Sequence, residues 1–242
     1  LERYAQLAAS RGAGIRLPLK AGLFFALLPT AMAWAQCPND PDLAARIQKL
    51  FEQQNWAEVA RLATTVRCRP AELNFEYGLA LAHLERWPEA RAALLAGRNR
   101  SHGYAQERFD VELAGIAFEQ KRYPEAAAWL RRALKLDPKD DYANNFAGTV
   151  YFLMGNVYAA LRDWNRVGKP SIAGLQFDPQ LHVQRLLLDR AFAFSPAAVL
   201  RLSDYSTTET RLRTLGIFPA YNIELSARPD GKFDAEFHAL ER

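Results

Sequence analysis

Few residues of this 242-residue chain stand at spacings that do chemistry. The four histidines, His83, His102, His182 and His238, are scattered, without the close pairing that a tetrahedral zinc site requires. Asp137, Asp140 and Asp141 cluster in one short stretch. A calcium loop needs a longer ladder of oxygen donors with a glycine at its middle, so helix capping is the plainer expectation for these carboxylates. Arg11-Gly12-Ala13-Gly14 has two glycines but sits in a leader segment and does not form a phosphate loop. No Gly-x-Ser-x-Gly elbow occurs. The chain is therefore read as non-catalytic, with no cofactor, no metal and no soluble small-molecule substrate.

Periodicity is the stronger signal. Gly78, Ala114 and Gly148 stand in register with Ala90, Ala126 and Ala160, and these in turn with Leu94, Leu130 and Trp164. Ala114 to Gly148 is one step of 34 residues. A fixed period of this length marks stacked helix pairs. The small residue of each first helix and the alanine of each second helix are the points where two helices approach closely. The links read Arg86-Trp87-Pro88-Glu89, Lys121-Arg122-Tyr123-Pro124-Glu125 and Gly155-Asn156-Val157-Tyr158. Proline suits the first turn of a helix, and Pro138 ends the helix before it. A more diverged pair spans about Asp42 to Arg67, with Asn55-Trp56-Ala57-Glu58 as its link.

This pattern resembles the tetratricopeptide repeat (TPR). Leu113, Ala114, Ala126, Leu130, Ala133 and Pro138 carry the likeness, as do Gly148, Tyr151, Ala160 and Trp164. The second pair is looser, with Gly97 where alanine is usual. The resemblance implies an α-solenoid whose first helices line a concave face for protein or peptide clients. On that face it places Arg108, Val111, Gly115 and Phe118 from one repeat, and Tyr142, Asn145, Thr149 and Phe152 from the next. Arg108, Val111, Phe118, Tyr142, Asn145 and Phe152 are the candidate peptide-binding residues. The paired Lys, Asn and Arg of the family's carboxylate clamp are not found in the sequence, so recognition of an acidic C-terminus is not expected.

The start of the chain reads as an export signal. Arg11, Arg16 and Lys20 precede the apolar run Ala21 to Leu28, and Ala33-Trp34-Ala35 is a small-x-small cleavage site. The run is too short to span a bilayer. Cleavage would leave Gln36 first, with residues 1–35 as the signal peptide. In an antiparallel helix pair the entry and exit lie side by side, so Cys37 and Cys68 can form a disulfide in an oxidising periplasm. Two free thiols, or a lipid-modified Cys37, are the alternatives, although Gln36 is the wrong residue before a lipidated cysteine. The net charge of +4 is small for this length and forms no basic block, so no nucleic-acid partner is expected.

Beyond Gly168-Lys169-Pro170 the helical period stops. A short strand over Ser171–Phe177 is followed by helices over about Val183–Ala191 and Ser203–Leu215, with Ser203 or Ser206 as cap and Gly216 as stop. Tyr221, Ile223, Leu225 and Ala227 then alternate with polar residues, and so do Phe233, Ala235, Phe237 and Ala239. Arg228-Pro229-Asp230-Gly231 joins the two runs as a hairpin. The order β-α-α-β-β, with Leu212-Arg213-Thr214-Leu215-Gly216-Ile217-Phe218 ahead of the hairpin and Glu241 at its end, resembles a POTRA domain.

The expected architecture is thus mainly α: TPR-like repeats over 36–168, then a small α+β, POTRA-like domain over 169–242. The POTRA resemblance implies a periplasmic place beside an outer-membrane β-barrel of a Gram-negative bacterium, in protein assembly or translocation. The barrel would be encoded by the same gene, beyond Arg242, or separately. A freestanding periplasmic scaffold for envelope biogenesis is the second expectation.

Overall fold

The computed structural model describes residues 40–178 and 181–241. The expected signal peptide and Cys37 lie outside the described residues. Eight helices form four pairs: α1 (Pro41–Glu52) with α2 (Trp56–Thr65), α3 (Ala71–His83) with α4 (Trp87–Arg98), α5 (Tyr104–Glu119) with α6 (Tyr123–Leu136), and α7 (Asp141–Leu153) with α8 (Val157–Trp164). After a short 3-10 turn at Asn165–Val167 come β1 (Ile172–Phe177), α9 (Arg185–Ala191), α10 (Leu202–Leu215), β2 (Ala220–Ala227) and β3 (Phe233–Leu240).

One turn recurs inside every pair. Gln54, Glu85, Lys121 and Gly155 all take the left-handed conformation, with φ of 58°, 57°, 57° and 73°. The next residue begins the second helix: Asn55, Arg86, Arg122 or Asn156. Asn55 and Asn156 cap through their side chains, accepting from the Glu58 N–H at 3.4 Å and the Ala159 N–H at 3.0 Å. The arginines make no such bond. They reach the glutamate three residues on instead, Arg86 to Glu89 at 2.8 Å and Arg122 to Glu125 at 2.9 Å. The sequence shows this turn only at Gly155, because glutamine, glutamate and lysine do not advertise a left-handed backbone.

The chain divides into two compact units, at Ala105 and Gln106. The first holds α1 to α4 around Ile47, Val59, Ala63, Ala80, Leu81 and Leu94. Its Gly78 lies against Leu94: a Cβ there would come 2.7 Å from Leu94 Cγ. Arg69 ties the two pairs of this unit, donating to the carbonyls of Ala63 and Val66 and to Asn74 Oδ1 at 3.2 to 3.3 Å.

In the second unit the last helix pairs pack with the C-terminal sheet as one body. No division into compact units falls at Gly168, where the sequence changes character. The sheet order is β1-β3-β2, with β1 parallel and β2 antiparallel to the central β3. Its inner face (Ile172, Ile223, Leu225, Ala235 and Phe237) packs on Leu188, Phe192, Leu200 and Leu212, and Leu161 of α8 joins the same core. The expected hairpin closes with Gly231 at φ 78° and the Arg228 N–H donating to the Lys232 carbonyl at 2.9 Å. Gly216 ends α10 in the left-handed conformation.

The start of α10 differs from expectation. Neither Ser203 nor Ser206 caps it: the helix begins at Leu202, and Arg201 makes no side-chain cap bond. The Leu202 N–H donates instead to Asn165 Oδ1 at 2.8 Å, so the cap comes from the end of the repeats. The Asn165 amide also donates to the carbonyls of Lys169 and Leu200, both at 2.8 Å. A cap supplied from 37 positions away carries no local sequence signal.

A close helix approach in this unit is at Gly148, where an added Cβ would stand 2.5 Å from Trp164 Cγ. Gly148→Ala is expected to lower stability by about 1–3 kcal/mol through overpacking. Lys121→Gly is expected to raise it by about 0.5–1 kcal/mol through relief of the left-handed backbone. Urea unfolding of the full chain measures both.

Candidate peptide-binding face

The second unit presents α5 and α7, the first helices of its two pairs. Asp140 caps α7, accepting from the Ala143 N–H at 3.0 Å, and Asp137 accepts from the Lys139 N–H at 3.0 Å. The aspartate cluster therefore shapes the helix start, as capping residues do. Among the described residues no group of three or more His, Cys, Asp or Glu is placed to hold a metal.

From that start, Tyr142, Asn145 and Thr149 follow at helical spacing on one side of α7, all half-buried. The Tyr142 ring lies 6.0 Å from Phe146, which meets Phe118 of α5 edge-on at 5.3 Å. Asn145 is the polar centre. Its backbone carbonyl accepts from Trp164 Nε1 at 3.2 Å and from Thr149 Oγ1 at 3.0 Å. Its side-chain oxygen accepts from Lys169 Nζ at 3.2 Å. Arg108 on α5 is half-buried, with its guanidinium 5.3 Å from the centre of the Phe109 ring.

The structure thus brings Phe118 and Tyr142 against Phe146, and Lys169 to Asn145. Two of the expected residues are placed otherwise. Val111 is only 5% exposed and belongs to the core. Phe152 lies between Trp164, at 5.5 Å, and Phe233 of β3, at 5.4 Å, so the C-terminal sheet covers it. Phe118 and Phe152 both stand three residues before the left-handed turn residue of their pair, Lys121 and Gly155. At that position a ring closes its own turn: Phe118 packs on Tyr123 at 5.6 Å, and in the first pair Phe51 packs on Trp56 at 5.4 Å. Counting repeat positions alone does not distinguish a turn-closing ring from a groove-lining one. Cys68 is half-buried after α2 and is not a free thiol; its expected partner, Cys37, lies outside the described residues.

Two residues were missed. Lys169 reads in sequence as part of a chain break, and only the fold brings its amine to Asn145. Glu112 stands one helical turn after Arg108 on α5, and no described group pairs with it. Burial pushes its carboxyl up to about 7. In the first unit, His83 stacks on Trp56 at 4.0 Å, and burial lowers the pKa of its imidazole.

Residues 116–161 match the sequence model of the TPR repeat. No curated protein matches the chain. Among solved structures, MamA is similar at 14% identity, over 52% of this chain and 77% of that one, with a TM-score of 0.46. YrrB, a TPR protein with an unusual peptide-binding site, is similar at 15% identity over 51% of this chain and 64% of its own length, under two thirds, with a TM-score of 0.46. PilF of Pseudomonas aeruginosa is similar at 18% identity, over 75% and 79%, with a TM-score of 0.48. The chain is a mainly helical, TPR-like protein with a small three-stranded sheet at its C-terminal end. TPR repeats are scaffolds that bind proteins and peptides.

The sign of the Glu112 effect is fixed by its surroundings. The folded chain keeps this proton up to a pH of about 7, whereas an unfolded carboxyl loses it near 4.5. Stability therefore falls as pH rises through that window. The residue keeps part of its surface in water, which moderates the cost. Glu112→Gln is expected to raise stability by about 1–2 kcal/mol at pH 8 and to leave it unchanged at pH 4, as measured by urea unfolding at both.

Proposed function

We propose that this chain is a non-catalytic interaction module that holds an extended peptide segment along α5 and α7. The observation that carries the reading is the grouping of an aromatic ring, an amide and an amine: Tyr142 and Asn145 on one side of α7 and Lys169 bonded to Asn145, with Phe118 reaching Phe146 from α5. The Asn145 and Lys169 groups suit peptide carbonyls, and the rings suit apolar side chains. Lys169 comes from beyond the repeats, so the C-terminal domain completes the face.

The place of action we propose is the periplasm of a Gram-negative bacterium, beside an outer-membrane β-barrel that assembles or translocates proteins. The support is the leader pattern of residues 1–35, a Cys68 that is not a free thiol, which suits an oxidising compartment, and the POTRA-like order β-α-α-β-β. A freestanding envelope scaffold shares all of these features except the barrel.

Binding of a peptide library to the full chain, followed by titration of the best ligand, tests the face. Asn145→Ala with Lys169→Ala is expected to weaken that ligand about tenfold, the loss of one or two hydrogen bonds. Unchanged affinity in the double variant sinks this site. N-terminal sequencing of the natural product from envelope fractions tests the location: a start at Gln36 supports export, and an uncleaved cytoplasmic chain refutes it.

A further inference from the structure

Among the described residues, helix α9 packs on one side only, yet shows apolar residues on the other. Leu188 and Ala191, 2% and 3% exposed, face the core. On the outer side Leu186 is 56% exposed and Leu187 is 37% exposed, where a surface helix carries polar residues. Arg190 stands one turn beyond Leu186 and shares its face. Arg211 of α10 donates through Nη1 to the Arg190 carbonyl at 3.1 Å, which brings a second exposed guanidinium to the same edge.

The neighbouring charges are committed elsewhere. Arg185 pairs with Asp189 at 3.0 Å and lies 4.0 Å over the Phe177 ring. Arg213 lies 3.9 Å from Glu209. Neither Arg190 nor Arg211 has a carboxylate partner among the described residues. A further exposed leucine, Leu240, precedes Glu241, whose carboxylate accepts from the His182 and Val183 N–H groups at 3.0 and 2.8 Å, at the foot of α9.

We propose that the outer face of α9, with Arg211, docks on an anionic membrane surface. The exposed leucines enter the boundary between headgroups and acyl chains, and the two guanidinia meet lipid phosphates. An acidic peptide would satisfy the arginines but leave the protruding leucines in water. A bilayer takes both. This inference does not depend on the peptide-binding reading of α5 and α7.

The test is sedimentation of the full chain with phosphatidylcholine vesicles, alone or with about a third phosphatidylglycerol. The anionic vesicles are expected to bind the chain and the neutral ones to bind it weakly. Arg190→Gln with Arg211→Gln is expected to weaken binding about tenfold or more. Leu186→Ser with Leu187→Ser is expected to weaken it comparably. Arg131→Gln with Arg132→Gln removes the same charge from α6 and should change binding no more than about twofold. All of these side chains are exposed, and circular dichroism verifies that the variants fold. The proposal is overturned by absence of binding to anionic vesicles, by equal binding to neutral ones, by leucine variants that bind as the parent does, or by a control variant as weak as the Arg190/Arg211 one.

Discussion

The indole of Trp164 sits where the repeats meet the sheet. It fills the space above Gly148 and donates to the Asn145 carbonyl at 3.2 Å. It also faces Phe152 at 5.5 Å and Phe233 at 5.2 Å. Earlier in the chain a leucine holds the matching position, as Leu94 does above Gly78. A leucine ends inside its helix pair. An indole is wide enough to fill the pair and present a second edge to the next element, and its one N–H finds a partner when buried. The exchange of leucine for tryptophan therefore lets a helical array pass into a sheet without an open seam.

Polar contacts then fix the angle of that junction. Asn165 uses both ends of its amide, giving two hydrogen bonds and taking one, and in doing so caps α10. The Tyr158 hydroxyl donates to the Glu209 carboxylate, while the Tyr221 hydroxyl donates to the Glu209 carbonyl at 3.2 Å. Tyr205 packs edge-on against Tyr158 at 5.5 Å, and burial pushes its phenol up to about 12. Leu161 supplies the apolar part by entering the core of the sheet. Apolar contact alone tolerates sliding. A directional set of this kind does not, because the half-buried bonds of Asn165 with Leu200 and Leu202 and of Tyr221 with Glu209 would each lose a partner.

Much of this was legible in the sequence because it is local or periodic. The close approaches at Gly78 and Gly148, the alternation along β2 and β3, and the Asp230-Gly231 turn all depend on residue type at short spacing. What was not legible depends on long-range placement or on a cost borne silently. The left-handed turns at Gln54, Glu85 and Lys121 are ordinary residues held in a disfavoured conformation. The α10 cap comes from Asn165, and the amine beside Asn145 comes from a lysine that reads as a linker. Cross-chain partners of this kind leave no pattern in a single sequence.

The two phenylalanines at equivalent positions show how a repeat changes role at the end of its array. Phe118 closes its turn on Tyr123 and still meets Phe146 of the next pair, as a repeat with a following repeat does. Phe152 has no following helix pair within the unit, and Phe233 of β3 takes that place. The sheet thus acts as the terminal cap that a helical array needs to shield its last apolar face. In capping, it packs against Phe152 and leaves Lys169 beside Asn145. The same packing that ends the array therefore leaves the face proposed for a peptide with a ring, an amide and an amine in place of an aromatic ladder.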